Sequence, residues 1–395
     1  LCMNPEFVIL ESIQKALGDI ETRPISLHEP DFRGTKAWEY VKETIDTSWV
    51  STAGSFVERF EESVRKITGA KHAIAVSNGT VALRLALHLV DVRAQDEVIV
   101  PPLSFVATAN AVSHLGAIPH FVDIDNETLG MSCMALIKRM DEIAIRKNGS
   151  VFNKETGRRI SAIVPVHIFG NPADIYGLKK IADSWNLPIV EDAAEALGSS
   201  LGGKHCGLIG DVGVLSFNGN KLVTTGGGGM IMTNSDSLAS SARHLSTTAK
   251  LAHSWEIQHD QIGWNDRMPN INAALGLAQL ECLNDKIIKK KQLFSQYANA
   301  FAEYDFVELV ATKTGFNSNH WLITIRLLEK DLDLLAAIRY RLLKTSHQSG
   351  LLLRPAWKLL SDLPMYSSNP KAELSTALDQ VQRLINLPSS PQLIQ

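Results

Sequence analysis

Apolar and polar positions follow two rhythms along this chain. At the N-terminus Phe7, Ile9, Leu10, Ile13 and Leu17 recur at helical spacing, with Asn4 where an N-cap belongs, Pro5 at the first helical position and Gly18 ending the repeat. This predicts a capped helix. Arg23 to Gly54 has no such repeat; it is rich in Pro, His and Gly yet keeps Phe32, Trp38, Tyr40 and Trp49, which predicts ordered, irregular, surface-lining chain. From Ala70 short apolar runs (His72–Val76, Glu97–Val100, Pro119–Ile124, Ala162–Val166, Pro188–Val190) alternate with helical segments such as Thr80–Val90, Ala107–Leu115 and Asp174–Ser184. Strands alternating with helices predict βαβ units and a mostly parallel sheet covered on both faces. Gly213–Phe217 and Gly229–Thr233 are joined by too short a loop for a parallel crossover, so they are expected to pair antiparallel. Val151–Arg159 reads as an inserted hairpin. After Ala273 a helical repeat runs through Leu277, Leu280, Leu283 and Ile287 into a region of mixed helix and strand. The expected organisation is an N-terminal helix (1–24), a large α/β domain (25–284) and a smaller C-terminal α+β domain (285–395).

Composition narrows the function classes. Of 395 residues, 45% are apolar and 21% charged, with a net charge of −3, so there is no basic field to hold a nucleic-acid backbone. The run Lys289-Lys290-Lys291 reads as a solvated helix face. Cys2, Cys133, Cys206 and Cys282 form no metal-spaced pair and no disulfide framework, which points to a reducing, cytoplasmic compartment. The apolar runs are strand-length, so no membrane span or leader is expected.

Three segments carry chemistry. Ser77-Asn78-Gly79-Thr80 ends a strand and opens a helix; free N–H groups at such a turn suit a phosphate, and the same residues also serve as an ordinary turn and cap. It lacks the glycines of a dinucleotide fingerprint and the Gly-Lys-Ser/Thr of a P-loop. Glu191 and Asp192 end an apolar run, where open α/β sheets bind ligands; no histidine stands at metal-ligand spacing, and an acidic helix cap is the plain alternative. Lys221 follows a strand in a small, polar loop and precedes four glycines, Gly226 to Gly229, which let another molecule approach the backbone. An anion site, a carboxylate and a lysine, in that order, are what pyridoxal phosphate (PLP) requires.

At this point the chain resembles the DegT-type sugar aminotransferases, which have the type I PLP (aspartate-aminotransferase-like) fold. The resemblance runs from Phe56-Val57-Glu58-Arg59-Phe60-Glu61 through Ser77–Thr80, Phe105-Val106-Ala107-Thr108-Ala109-Asn110, Glu191–Ala194 and Ser216–Lys221 to Asn265-Asp266-Arg267-Met268. It implies that Lys221 carries the cofactor covalently and later shuttles a proton, and that Asp192 pairs with the pyridinium nitrogen. By the same resemblance Gly79, Thr80 and Ser216 hold the phosphate and Phe105 stacks on the ring. Asn265 would reach the phosphate of a neighbouring subunit, which implies a homodimer with shared sites. Glu195 stands where the family commonly has Gln or His beside the phenolic oxygen, so a proton must lie between the two.

That departure, with Pro24–Pro30, the 153–159 insert, Thr225–Met230 and Leu353-Arg354-Pro355-Ala356-Trp357, is similar to the 4-aminotransferases of the bacillosamine and legionaminic-acid pathways. The substrates so implied are glutamate and a UDP- or GDP-linked 4-keto-6-deoxy-2-acetamido sugar, the cofactor passing between PLP and its amine form, PMP. His28, Ser51, His320, Trp321, Arg354 and Trp357 are candidate substrate contacts, each also able to serve as core or dimer packing. His167 reads as a structural strand-end histidine. A PLP-dependent sugar dehydratase would carry histidine at position 221, and a non-catalytic regulator would be expected to lose Lys221 or Asp192.

Overall fold

The computed structural model describes residues 4–18 and 24–394; Cys2 lies outside them. Among the described residues eleven strands precede residue 234: β1 His72–Val76, β2 Glu97–Val100, β3 Ile118–Phe121, β4 Ala144–Lys147, β5 Ser150–Asn153, β6 Arg159–Ile163, β7 Val190–Asp192, β8 Ser200–Leu201, β9 Lys204–His205, β10 Val212–Ser216 and β11 Gly229–Thr233. They are joined by helices α1 Pro5–Leu17, α2 Ala37–Asp46, α3 Ser55–Thr68, α4 Gly79–Leu89, α5 Ala107–Ser113, α6 Cys133–Ile143 and α7 Ile175–Trp185. The central sheet runs β3-β2-β6-β7-β10-β11-β1, with β6 and β7 linked by the parallel bridges Ile163–Ile189 and Val166–Asp192. The pairs from β3 to β10 are parallel, and only β11 runs against its neighbours, which bears out the short-loop argument for β10 and β11.

The strand period of two decides what each face holds. On β1, Ile74 and Val76 enter one core while Ala73 and Ala75 enter the other; on β11, Ile231 faces the first and Met230 and Met232 the second. α4 and α5 cover the first face with Leu83, Leu85, Leu87, Ala109 and Val112, all buried. Each leucine so buried contributes on the order of 1.5–3 kcal/mol. The same alternation sends Glu191 and Asp192 to opposite faces of β7.

Beyond β11 lie α8 Asp236–Ser246, α9 Asn270–Leu280, α10 Leu283–Phe301, α11 Leu332–Gln348 and α12 Ser375–Arg383. The antiparallel sheet of this part has the order β12 (Val307–Leu309), β14 (Thr324–Leu327), β16 (Leu384–Asn386), β15 (Arg354–Pro355), while β13 (Phe316–Asn317) pairs with β8. α1 packs into this part, with Ile9, Leu10, Ile13 and Leu17 in one cluster with Leu293, Tyr297 and Leu342. Asp123, just past β3, accepts the backbone N–H groups of Thr376 and Ala377 and so caps α12 from the central sheet.

Several expectations need correction. Arg23–Gly54 contains the helix α2, whose Trp38 and Ile45 are exposed while Ala37 and Thr44 are buried. The helical repeat after Ala273 is two helices, parted at Glu281 and Cys282; α9 and the first residues of α10, Leu283 and Ile287, pack on the cluster of Phe60 and Phe217, and α10 then runs on into that of Leu293 and Tyr297. The insert has an extra strand, β4, ahead of the β5–β6 hairpin. Lys290 is no solvated residue: it is fully buried, and its amine donates to the carbonyls of Trp321 (3.1 Å) and Ser389. Asn4 takes the cap position of α1 without a side-chain bond.

Candidate active site

The central sheet brings together the C-terminal ends of β7 and β10 and the N-terminus of α4. Asn78 caps α4 by accepting the Val81 N–H at 2.9 Å, which leaves Gly79 and Thr80 in the first turn at the positive helix end. Gly79 has no side chain for a steric reason: a Cβ there would stand 2.9 Å from the Cβ of Ser216 at the end of β10. Turn and hydroxyl therefore face one another, the arrangement a phosphate needs.

Asp192 is 4% exposed. One carboxylate oxygen accepts the Thr108 hydroxyl at 2.7 Å, the other the Ala194 N–H at 3.2 Å, and Ser104 backs Thr108 at 2.7 Å. Burial raises its pKa, against the pull of these donors. A dry carboxylate with no cation bonded to it is a fit for a pyridinium N–H. Thr108 lies in a run already quoted for the resemblance, but nothing in its spacing marks it as the partner of Asp192. On the other face of β7, Glu191 accepts the N–H groups of Gly207 (2.7 Å), Ile209 (2.6 Å) and Gly210 and bonds His167 Nε2 at 2.9 Å. His167 Nδ1 accepts the Ala173 N–H, so Nε2 carries the ring proton and donates it to Glu191. Glu191 and His167 thus anchor the backbone behind the site.

Lys221 reaches in from the loop after β10. Its amine stands 3.4 Å from Glu195 Oε1 and 3.7 Å from the centroid of the Trp321 ring. Glu195 also accepts the Phe169 N–H at 2.8 Å, and burial raises its pKa. The fully buried Asn319 staples these two neighbours of the amine: its Nδ2 donates to the carbonyls of Glu195 and Leu197, and its Oδ1 accepts the Trp321 N–H. Phe105 is half exposed at the mouth, with Trp357 between it and Phe169 at ring distances of 5.9 and 5.3 Å.

His28, Trp321, Arg354 and Trp357 line one cleft beside this cluster. Two other candidates are not brought there. The His320 ring stacks on Phe294 at 4.3 Å, its pKa lowered to about 3 by burial and then by Lys290 and Lys291. Ser51 is exposed, and its carbonyl accepts the Asn270 N–H of α9. Asn265 is exposed on a strip of chain whose next residues bond along β1.

Residues 33–395 match the DegT/DnrJ/EryC1/StrS aminotransferase family. The chain belongs to that family. It is 36% identical over 371 residues to the GDP-perosamine synthase of Escherichia coli O157:H7, covering 93% of this chain and 94% of that protein. The GDP-perosamine synthase of Caulobacter vibrioides is 36% identical over 354 residues, or 89% of this chain and 88% of that one. Among solved structures, Helicobacter pylori PseC, an aminotransferase involved in the biosynthesis of pseudoaminic acid, superposes with a TM-score of 0.82 at 26% identity over 93% of this chain and 94% of that one. As a DegT-family member the protein is a PLP-dependent nucleotide-sugar aminotransferase, and the buried acid, the facing turn and the lysine described above fit that cofactor.

Proposed function

We propose that this enzyme moves an amino group from glutamate to carbon 4 of a nucleotide-linked 4-keto-6-deoxy-2-acetamido sugar. The observation that carries the reading is the convergence of Lys221, Asp192 and the α4 turn around one space, with the acid Glu195 beside the amine. When bound, PLP supplies the electron sink for cleaving a bond at the amine-bearing carbon. The chain does the rest. The Lys221 amine would carry the proton between that carbon and the cofactor's C4′ carbon. Asp192 keeps the ring nitrogen protonated. Gly79, Thr80 and Ser216 hold the phosphate, Phe105 covers a ring face, and Glu195 holds a proton at the phenolic oxygen.

The reading includes a homodimer in which Asn265 completes the partner's phosphate site. Trp38 (77% exposed), Trp255 (81%) and Ile262 (88%) support it, since large side chains left so bare suit an interface. Among the described residues no helix is long and apolar enough to cross a membrane, and the described cysteines are free, as suits an enzyme of the reducing cytoplasm. The nucleotide is UDP or GDP, and the GDP named in two relatives brings the second into the test. Incubation with glutamate and each keto-sugar, followed by NMR, should give an amine at carbon 4 for one of them. Amination elsewhere, or of neither, would overturn the assignment.

A further inference from the structure

The cleft shared by His28, Trp321, Arg354 and Trp357 has a volume of about 250 Å³ and opens beside Asn220, the residue before Lys221. No carboxylate lines it. Arg354 is exposed at its mouth, held there by the pairing of β15 with Asn386 of β16, and no described carboxylate pairs with it. Deeper in, His28 is 7% exposed, and neither ring nitrogen has a hydrogen-bond partner; the Ser26 hydroxyl is likewise unpartnered. Burial, reinforced by Lys290, Lys286 and Lys221, lowers the His28 pKa well below its ordinary value, against the pull of the Asn220 carbonyl, which lies near the ring without forming a well-aligned hydrogen bond. An unpartnered imidazole and hydroxyl are costly in a dry wall, and a ligand that bonds them removes that cost.

The character of the ligand follows from the wall. Positive charge comes from a free guanidinium, hydrogen-bonding groups from His28 and Ser26, and negative charge from nothing that lines the cleft. A planar guanidinium with two parallel N–H groups matches a carboxylate. Position matters equally. Trp321, one wall of the cleft, lies directly behind the Lys221 amine, and its indole N–H donates to the Asn220 carbonyl at 2.9 Å. The cleft and the reacting amine therefore share the Trp321 side chain as a common wall.

We infer that this cleft is the carboxylate subsite for the amino donor, with Arg354 gripping one carboxylate and His28 and Ser26 bonding it from below. The inference rests on the aminotransferase reading above and goes beyond it in assigning the donor's own place. In the test, glutamate is titrated into the PLP holoenzyme by following loss of the cofactor's visible band. Glutarate, a dicarboxylate with no amine, is titrated by calorimetry. Arg354→Gln should weaken both about 10- to 100-fold, the range expected for losing a hydrogen-bonded charge partner, with Arg354→Lys recovering part of it. His28→Phe should weaken both less, and binding of the nucleotide-sugar product should be unchanged in all three. Unchanged glutarate binding in Arg354→Gln, no glutarate binding to the wild type, or a loss confined to the nucleotide sugar would each overturn the subsite. A wild type that binds glutarate through Arg354 but never loses its visible band with glutamate would instead sink the aminotransferase reading.

Discussion

Asp192 and Glu195 lie three residues apart in the same dry interior, and burial raises the pKa of both. For a carboxyl whose folded pKa lies above its unfolded value, ionisation costs stability. The cost is absent below the unfolded pKa, grows as pH rises to the folded pKa, and stays constant above it. Asp192→Asn removes that cost while keeping the geometry, since the amide oxygen accepts the Ala194 N–H and the Thr108 hydroxyl turns to accept from the amide. Cofactor-free Asp192→Asn should therefore melt higher than cofactor-free wild type at neutral pH, with the advantage shrinking as pH falls toward about 4. The holoenzyme should lose transamination roughly 100-fold or more, because a neutral amide cannot hold the ring nitrogen protonated. Higher melting without the activity loss would remove Asp192 from the site. Glu195→Gln should leave the midpoint of the cofactor's spectral pH titration near that of the wild type, because a protonated carboxyl and an amide both donate to the phenolic oxygen without adding charge. A midpoint moved downward would mean that Glu195 is ionised beside the cofactor and holds no proton there. At this scale the sequence made Lys221, Asp192 and Gly79 legible, because a turn, a strand end and a glycine loop are local signals. Thr108 and Lys290 were not. Thr108 meets its partner 84 positions away, and Lys290 was misread because its carbonyl partners lie 31 and 99 positions away, where no local pattern points.

Elements were easier to read than their limits. The apolar runs located β1 and β2 fully, whereas the run Pro188–Val190 is followed by a strand that continues through Glu191 and Asp192. Acids lower the apparent strand signal, yet here each is satisfied by bonds from a different face. The unbroken repeat from Ala273 hid the join of α9 and α10, because Leu277 and Leu280 of α9 and Leu283 and Ile287 of α10 all pack on the same core across the break. The junction of α4 with β10 offers a test at this scale. In Gly79→Ala the new methyl meets Ser216, so turn and hydroxyl must separate. PLP binding, followed by cofactor release on dilution, should weaken about 10-fold through distorted phosphate hydrogen bonds. Pyridoxal, which has no phosphate, should bind wild type and variant alike. Equal weakening for both would mean that the substitution damages the lysine or acid and not the phosphate turn.

For the whole molecule, chain order and spatial order part company. α1 opens the chain but shares the cluster of α10 and α11, a contact across more than 300 positions: Glu6 in α1 pairs with Arg341 in α11. Hydrophobic spacing predicts the helix and is silent on its partner. The same silence covers the proposed subunit interface, for which the support is the bare Trp38, Trp255 and Ile262 and the exposed Asn265. A two-fold dimer is isologous, so each Asn265 would serve the other subunit's cofactor and two equal sites would form. Asn265→Ala and Lys221→Ala subunits, once mixed and exchanged, then have a distinctive outcome. One site of each heterodimer carries both defects and the other carries neither. With random exchange half the dimers are mixed, and half of their sites are intact, so about a quarter of wild-type activity per site should appear. The Lys221→Ala parent contributes none. The Asn265→Ala parent keeps a fraction, because Gly79, Thr80 and Ser216 still hold the phosphate, so the comparison is with the mean of the two parents measured alone. Sedimentation of a size-tagged subunit establishes that exchange has occurred. If exchanged mixtures show only the parental mean, Asn265 serves its own subunit or none, and the shared-site reading falls while the assignments of Lys221 and Asp192 stand.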